Sequence, residues 1–417
     1  MTIVMSDKQR KLDTQVSQVF TPASPVREAD LFAGRIEQIR KVVDAINQQG
    51  QHAVIFGERG VGKTSLSNIL ATRLRADGTE VLAPKITCES SDTYATLWRK
   101  VLSEIDLIKK KSLIGFQMSV FEETKTAADV VGDNPTPDDI RRLLTLLGGD
   151  RLLYVVIDEF DRISDVSTKR ALADTIKAFS DHAVPTTIVV VGVSDTIDAL
   201  IQEHESIERC LVQIPMPRMS PDESSQILTT GAKKLGIVFS PDSIREIVGL
   251  SQGLPHYTHL LALHSVRACI DSNDSEVLPT HVETAIHKAV EDAQQSLKST
   301  YYRAVTSPRK DALYGHVLLA CALAEPDQFG YFTAGDVRDP LSRITGKKYD
   351  FDGYAKHMRE FCTSIERGEV LLRTGVKHKY RFRFRNPLMQ PLVIMQGLVD
   401  RRIDRAKLEE VIGHRGA

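Results

Sequence analysis

This chain has no strong charge of either sign, few cysteines, one tryptophan and no long apolar run. Its 54 Lys and Arg residues almost balance 55 Asp and Glu, leaving a net charge of −1 over 417 residues. Bulk charge therefore supplies no attraction to nucleic acid or to a membrane surface, and any basic surface has to be local. The five cysteines, Cys88, Cys210, Cys269, Cys321 and Cys362, are widely scattered, with no C-x-x-C pair and no Cys/His metal spacing. That argues against a disulfide framework and a zinc module, and suits a reducing cytosol where each thiol is a small buried apolar group. No stretch approaches the roughly 18 apolar residues of a membrane span. Met1 to Arg10 lack the apolar core of a signal peptide. A cytoplasmic, membrane-free protein is expected. The length suggests two or three domains rather than one.

The most informative segment is Gly57-Glu58-Arg59-Gly60-Val61-Gly62-Lys63-Thr64, which matches the phosphate-binding pattern G-x-x-x-x-G-K-[ST]. Its glycines let the backbone wrap so that several N–H groups converge on phosphate oxygens. Lys63 supplies a cation for the β- and γ-phosphates, and the Thr64 hydroxyl supplies a ligand for Mg²⁺. The setting agrees. His52 to Phe56 reads as a buried strand, and Ser65 to Leu74 as an amphipathic helix whose positive dipole end faces the same anion. Gly57 through Ser65 are the nucleotide-binding candidates.

Further along, Val81 to Ile86 reads as a short strand and Thr93 to Leu107 as a helix. Between Lys109 and Pro137 the periodicity fails, and the stretch reads as a surface excursion with a solvated Lys109-Lys110-Lys111 run. Pro137 opens a helix that ends at Gly148-Gly149. Leu152–Ile157 and Thr187–Val193 are continuous apolar runs, as strands buried on both faces should be. Strands alternating with helices predict a parallel, doubly wound sheet. After Pro217 the pattern becomes helical. Ser220-Pro221-Asp222-Glu223 is a capping box and Ser240-Pro241 repeats the signal. Helices near 221–235, 241–250, 254–272 and 279–294 form a small all-α domain.

The strand 152–157 runs into Asp158-Glu159. A carboxylate at the end of such a strand can hold Mg²⁺, and its neighbour can orient and deprotonate an attacking water. Asp158 is the candidate metal-shell residue and Glu159 the candidate general base. The alternative reading makes both helix N-cap carboxylates, shared with Asp161. This order of motifs resembles AAA+ ATPases of the initiator, origin-recognition type and the related STAND signalling ATPases, over roughly residues 25–400. The resemblance implies that Phe32-Ala33-Gly34-Arg35 enters the helix near the adenine, and that Gly57–Thr64 and Ile157–Glu159 are Walker A and Walker B. It implies a γ-phosphate sensor at Ser194-Asp195. Asn is usual at the second position, so Ser194 is favoured over Asp195. It implies an arginine finger for a neighbouring subunit at Arg209, whose guanidinium forks onto phosphate oxygens; the alternative is a surface Arg paired with Glu208 or Glu205. Where initiators carry a second sensor arginine, this chain has Gly253-Leu254-Pro255-His256. That pattern is closer to STAND proteins, with Pro255 at the base and His256 near a phosphate, its charge conditional on pH. A plain helix-packing histidine is the alternative. The missing arginine fits slow turnover.

A second cluster lies near the C-terminus. Tyr380, Phe382 and Phe384 alternate with Lys379, Arg381, Arg383 and Arg385, which puts aromatics on one strand face and cations on the other. Arg373 and Lys377 lie on the partner strand and turn. Three helices near 310–324, 333–342 and 350–366 followed by this hairpin are the order of a winged helix. Such a wing can lie along a DNA backbone, or it can serve a protein contact.

The expected fold is therefore an α/β P-loop NTPase core of AAA+ type with a parallel sheet, an all-α lid and a C-terminal winged-helix domain. The expected segments are a flexible tail to residue 22, core 23–218, lid 219–295, winged helix 296–400 and a tail 401–417. The expected ligands are ATP and Mg²⁺. The expected function is a nucleotide-dependent switch or loader on DNA, with duplex DNA bound through the winged helix and the chain in a homo-oligomer; the alternative is a STAND-like signalling or defence ATPase that regulates a protein effector without binding DNA.

Overall fold

The computed structural model describes residues 7–24, 34–75, 80–114, 119–149, 151–194, 207–308, 312–376 and 379–413. The chain forms two compact units. One holds residues 35–57 and 62–216; the other holds 1–34, 58–61 and 217–417.

The first unit is built on β1 (His52–Gly57), β2 (Val81–Leu82) and β3 (Lys85–Thr87). A hairpin of β4 (Asp106–Ile114) and β5 (Ser119–Thr126) follows. Then come β6 (Leu152–Asp158), β7 (Thr186–Val193) and β8 (Leu211–Pro215). The main sheet runs β2-β6-β7-β1-β8, with β3 also on β6, and every pair is parallel. Val54, Ile55, Val155, Ile157, Val189 and Val190 are fully enclosed, because helices cover both faces of a parallel sheet. Trp98 is buried on the helix Tyr94–Ser103, which Thr93 caps by accepting from the Thr96 N–H. The helix Pro137–Gly148 has the expected N-terminal proline and glycine end, and the structure adds a Thr136 cap and a positive φ at Gly149.

Two expectations change here. The stretch read as a surface excursion contains the β4–β5 hairpin, whose register sets Lys110 opposite Glu123 and Lys111 opposite Glu122. A search for apolar periodicity passes over such a hairpin. The strand expected over 81–86 is two short ones, because Pro84 lacks the N–H a ladder needs.

In the second unit the lid helices are Pro221–Leu235, Pro241–Ser251, Pro255–Asp271 and Pro279–Glu291. A small parallel pair, β9 (Val238–Phe239) with β10 (Glu276–Val277), lies among them. The helix Gln295–Val305 leads to helices Tyr314–Leu323, Arg338–Thr345 and Phe351–Thr363. With them goes a sheet of β11 (Phe332–Thr333), β12 (Leu371–Thr374) and β13 (Arg381–Phe384), in the order β11-β13-β12. This is the winged helix, with one more strand than the expected hairpin. The N-terminal stretch expected to be loose is instead the helix Asp7–Val19. Val16 and Phe20 are buried, Phe20 lies edge-on to Phe239, and Arg267 Nε donates to Asp13 at 2.7 Å. Val16, Val19 and Phe20 make a short helical stripe inside a polar composition. The C-terminal tail is likewise ordered as the helix Arg405–Gly413, tied to Glu246 by Arg405 at 3.0 Å.

Candidate nucleotide site

Strand β1 delivers the glycine loop. Gly57, Gly60 and Gly62 all take positive φ, at 152°, 90° and 98°. A Cβ on Gly57 would stand 2.4 Å from the Met216 carbonyl oxygen, so only glycine ends β1 this closely against the chain leaving β8. The helix Lys63–Arg75 begins within the motif. Lys63 is buried, and its Nζ donates to the Gly57 carbonyl at 2.9 Å, closing the loop across its own mouth. Thr64 and Ser65 are half-buried on the first turn.

Glu58 to Val61 belong to the second compact unit. There Glu58, 3% exposed, takes both ends of the Arg218 guanidinium, Nε at 2.7 Å and Nη2 at 3.3 Å. Arg218 Nη1 donates to Gln390 Oε1 at 2.7 Å. Gly330 comes close enough that a Cβ would meet Glu58 Oε1 at 2.2 Å. Sequence reasoning missed Arg218, whose one distinguishing mark is its place just after β8.

On the sheet's other half, Asp158 ends β6 and is 3% exposed. Its Oδ1 accepts from the Glu159 N–H at 2.9 Å, and its Oδ2 lies 3.2 Å from Lys85 Nζ. Lys85 Nζ also donates to Ser67 Oγ at 2.7 Å and Asn68 Oδ1 at 2.5 Å, both on the helix that follows the glycine loop. Burial pushes the Lys85 pKa down, and the Asp158 charge opposes that shift. Glu159 adopts left-handed backbone and is half exposed, its Oε2 accepting from Arg162 at 2.9 Å. Asp161 Oδ1 accepts from the Val193 N–H at 2.7 Å. Gly57 is in register with Val193, so Ser194 follows directly beside the loop strand. Asp195 lies outside the described residues.

A buried carboxylate and a half-buried hydroxyl fit Mg²⁺, which binds few protein ligands and keeps waters and phosphate oxygens for the rest. Residues 23–305, more than half of the chain, match the family model described as Novel STAND NTPase 1. The chain belongs to this family. It is thus a P-loop NTPase of the STAND kind. No curated protein matches its sequence. Among solved structures it is similar to the Walker-type ATPase PABY2304 of Pyrococcus abyssi, at 15% identity and a TM-score of 0.49, covering 90% of this chain and 99% of that one. It is also similar to the ORC2 protein of Aeropyrum pernix, at 15% identity and a TM-score of 0.47, covering 95% and 98%. The ORC1 protein of the same organism, solved in complex with DNA, gives 14%, 0.46, and 96% of each chain.

Other candidate residues of this STAND NTPase are held as follows. Arg35, 2% exposed, sits in left-handed backbone just before the helix Ile36–Asn47; Phe32 and Ala33 lie outside the described residues. Arg209 sits on a short turn at the start of β8 and pairs with Asp181, rather than with Glu208; its side chain is 72% exposed. Glu205 lies outside the described residues. Pro255 opens its lid helix. His256 Nδ1 is 2.8 Å from the Pro22 carbonyl, and burial lowers its pKa. A carbonyl only accepts, so Nδ1 carries a proton and donates to it.

In the winged helix, Phe382 and Phe384 are buried while Arg381 and Arg385 are exposed, the expected alternation. The cations nonetheless have internal partners. Arg381 pairs with Asp327, and Arg381 and Arg383 both stack over the Tyr331 ring. Arg373 stacks over Tyr380, 4.5 Å from its centroid, and Arg385 Nε donates to the Glu369 carbonyl at 3.0 Å. Lys379 is exposed, and Lys377 lies outside the described residues.

Proposed function

We propose that this chain binds ATP with Mg²⁺, hydrolyses it slowly, and uses the bound nucleotide as a switch for a protein effector. The observation that carries this reading is one of placement. The glycine loop ends β1 and Asp158 ends β6, one strand apart in a parallel sheet, so both lie at its carboxyl edge, where such sheets bind ligands. In this reading the loop amides from Gly57 to Ser65 cradle the phosphates and Lys63 exchanges the Gly57 carbonyl for phosphate oxygens. Thr64 and Asp158 hold Mg²⁺, which when bound offsets phosphate charge. Glu159 leaves Arg162 to accept a proton from the attacking water, and Ser194 hydrogen-bonds the γ-phosphate. The lack of a second sensor arginine at Gly253-Leu254-Pro255-His256 favours slow turnover. A Glu159→Gln variant should keep ATP bound and stop turnover in a phosphate-release assay. Turnover unchanged by it would reject Glu159 as the base.

A second reading is favoured by the basic face of β13. A homo-oligomer would contact duplex DNA through Arg373, Lys377, Lys379, Arg381, Arg383 and Arg385, with Arg209 leaving Asp181 to reach a neighbour's nucleotide. About four to six phosphate contacts give a salt slope of about −4 to −5. An affinity that is flat between about 50 and 200 mM salt would reject it.

A further inference from the structure

We propose that Lys85 is a built-in counter-charge for Asp158, one that lets the site accept nucleotide phosphates before any Mg²⁺ arrives. The proposal rests on the reading that Asp158 faces the nucleotide's metal.

An ammonium has three donors, and Lys85 has three acceptors for them: Asp158 Oδ2 at 3.2 Å, Ser67 Oγ at 2.7 Å and Asn68 Oδ1 at 2.5 Å. The Ser67 hydroxyl donates onward to the Thr64 carbonyl at 2.9 Å, so it is free to accept from the amine. All three donors are spent, and the amine does not reach out as a phosphate ligand. It acts through Asp158 and is a positioning residue. The local fold makes the arrangement possible. β3 runs parallel to β6 with Lys85 in register with Val156 and Thr87 with Asp158, which sets the long lysine side chain alongside the C-terminal end of β6. The same amine pins the helix that carries Thr64, so one side chain spaces the two candidate metal ligands.

The chemical consequence follows from charge. Asp158 is buried, and a buried carboxylate without a partner repels an incoming phosphate chain strongly in a poorly screened site. Where only a metal ion neutralises such a carboxylate, nucleotide binding needs that metal. Here a fixed cation is already in place.

The test uses the full chain and the fluorescent nucleotide mant-ADP, titrated by anisotropy in EDTA and in excess Mg²⁺. Lys85→Met should weaken binding at least ~10-fold in EDTA, and by no more than ~3-fold in Mg²⁺. The double variant Lys85→Met/Asp158→Asn, which removes the charge as well as its partner, should restore the EDTA affinity. Lys85→Arg should retain most of it. Equal losses in EDTA and Mg²⁺, or no loss in either, would overturn the proposal. If Lys85→Met fails to fold, the double variant decides, because it leaves no unpaired charge: a metal-free affinity below that of wild type would then count against Lys85 acting through Asp158. A Lys63→Ala control separates the two readings. If it binds mant-ADP normally, the nucleotide site itself is misassigned. If it loses binding while Lys85→Met shows no EDTA-specific loss, only the Lys85 assignment fails.

Discussion

At the carboxyl edge of the core sheet the charged groups converge. Lys85 joins Asp158 to the helix of the glycine loop, and Lys63 closes the loop itself. On the C-terminal sheet the cations disperse, with Arg381 going to Asp327, Arg373 to the Tyr380 ring and Arg385 to a backbone carbonyl. Burial explains the contrast. Asp158 and Lys63 are nearly inaccessible, and charges taken out of water have to be paired and hydrogen-bonded to one another. Exposed arginines are satisfied one at a time by whatever lies near, and each such contact is worth little. The like charges of β13 thus lie along a face, whereas the buried opposite charges beside β6 form one connected network.

The contrast can be broken or sharpened by substitution. The largest effect belongs to Lys63→Ala, which should cost at least ~100-fold in ADP affinity by calorimetry, about 3 kcal/mol, as expected for losing a buried charge-assisted contact. Normal binding by that variant would dissolve the distinction between the two regions. Next comes Arg218→Ala in the second unit. It removes the guanidinium that Glu58 binds in a buried site and should lower stability by about 3 kcal/mol in urea unfolding. Arg218→Met with Glu58→Gln should recover most of that loss. A harmless Arg218→Ala would mean that Glu58 finds water instead.

A pH-dependent effect, small near neutral pH, comes from His52, buried on β1 beside β7, whose Nδ1 accepts from the Ile188 N–H at 3.0 Å. Burial holds its pKa down at about 4, against an ordinary 6.5. Between those values the unfolded chain binds the extra proton. Core stability from this group is therefore complete above pH 6.5 and falls as pH drops toward 4, by up to about 1.4 kcal/mol per pH unit. His52→Asn should flatten that part of the stability–pH curve, and an unchanged slope would assign it elsewhere. The smallest effect is expected at the hairpin. Arg381→Ala, Arg383→Ala and Arg385→Ala should each change stability by less than about 1 kcal/mol. If the combined variant also abolished salt-sensitive DNA binding, the dispersed cations would prove to be a site after all.

The glycine loop, the buried strands and the Asp158 position were legible in the sequence because each depends on local chemistry: positive φ, double-sided burial, a carboxylate at a strand end. The lid helices were equally legible, since Ser220-Pro221 and Ser240-Pro241 declare their own starts. Lys85 and Arg218 were not. Their partners, Asp158 and Glu58, lie far away in the chain, and no local pattern links a strand lysine to a carboxylate two motifs later. The N-terminal helix escaped for a related reason, as its stripe of Val16, Val19 and Phe20 gains meaning only against Phe239 and Arg267. The alternation in β13 was read correctly for its faces, but the Tyr331 ring and Asp327 that occupy its cations come from a loop with no periodic signal.

The most direct test of the nucleotide-switch reading is steady-state ATP hydrolysis over a protein concentration series, with and without plasmid DNA. The account predicts a slow rate, linear in protein and indifferent to DNA. A rate that climbs more than linearly with protein and rises further with DNA would contradict it, and would point instead to an assembled, DNA-loaded ATPase with Arg209 acting between subunits.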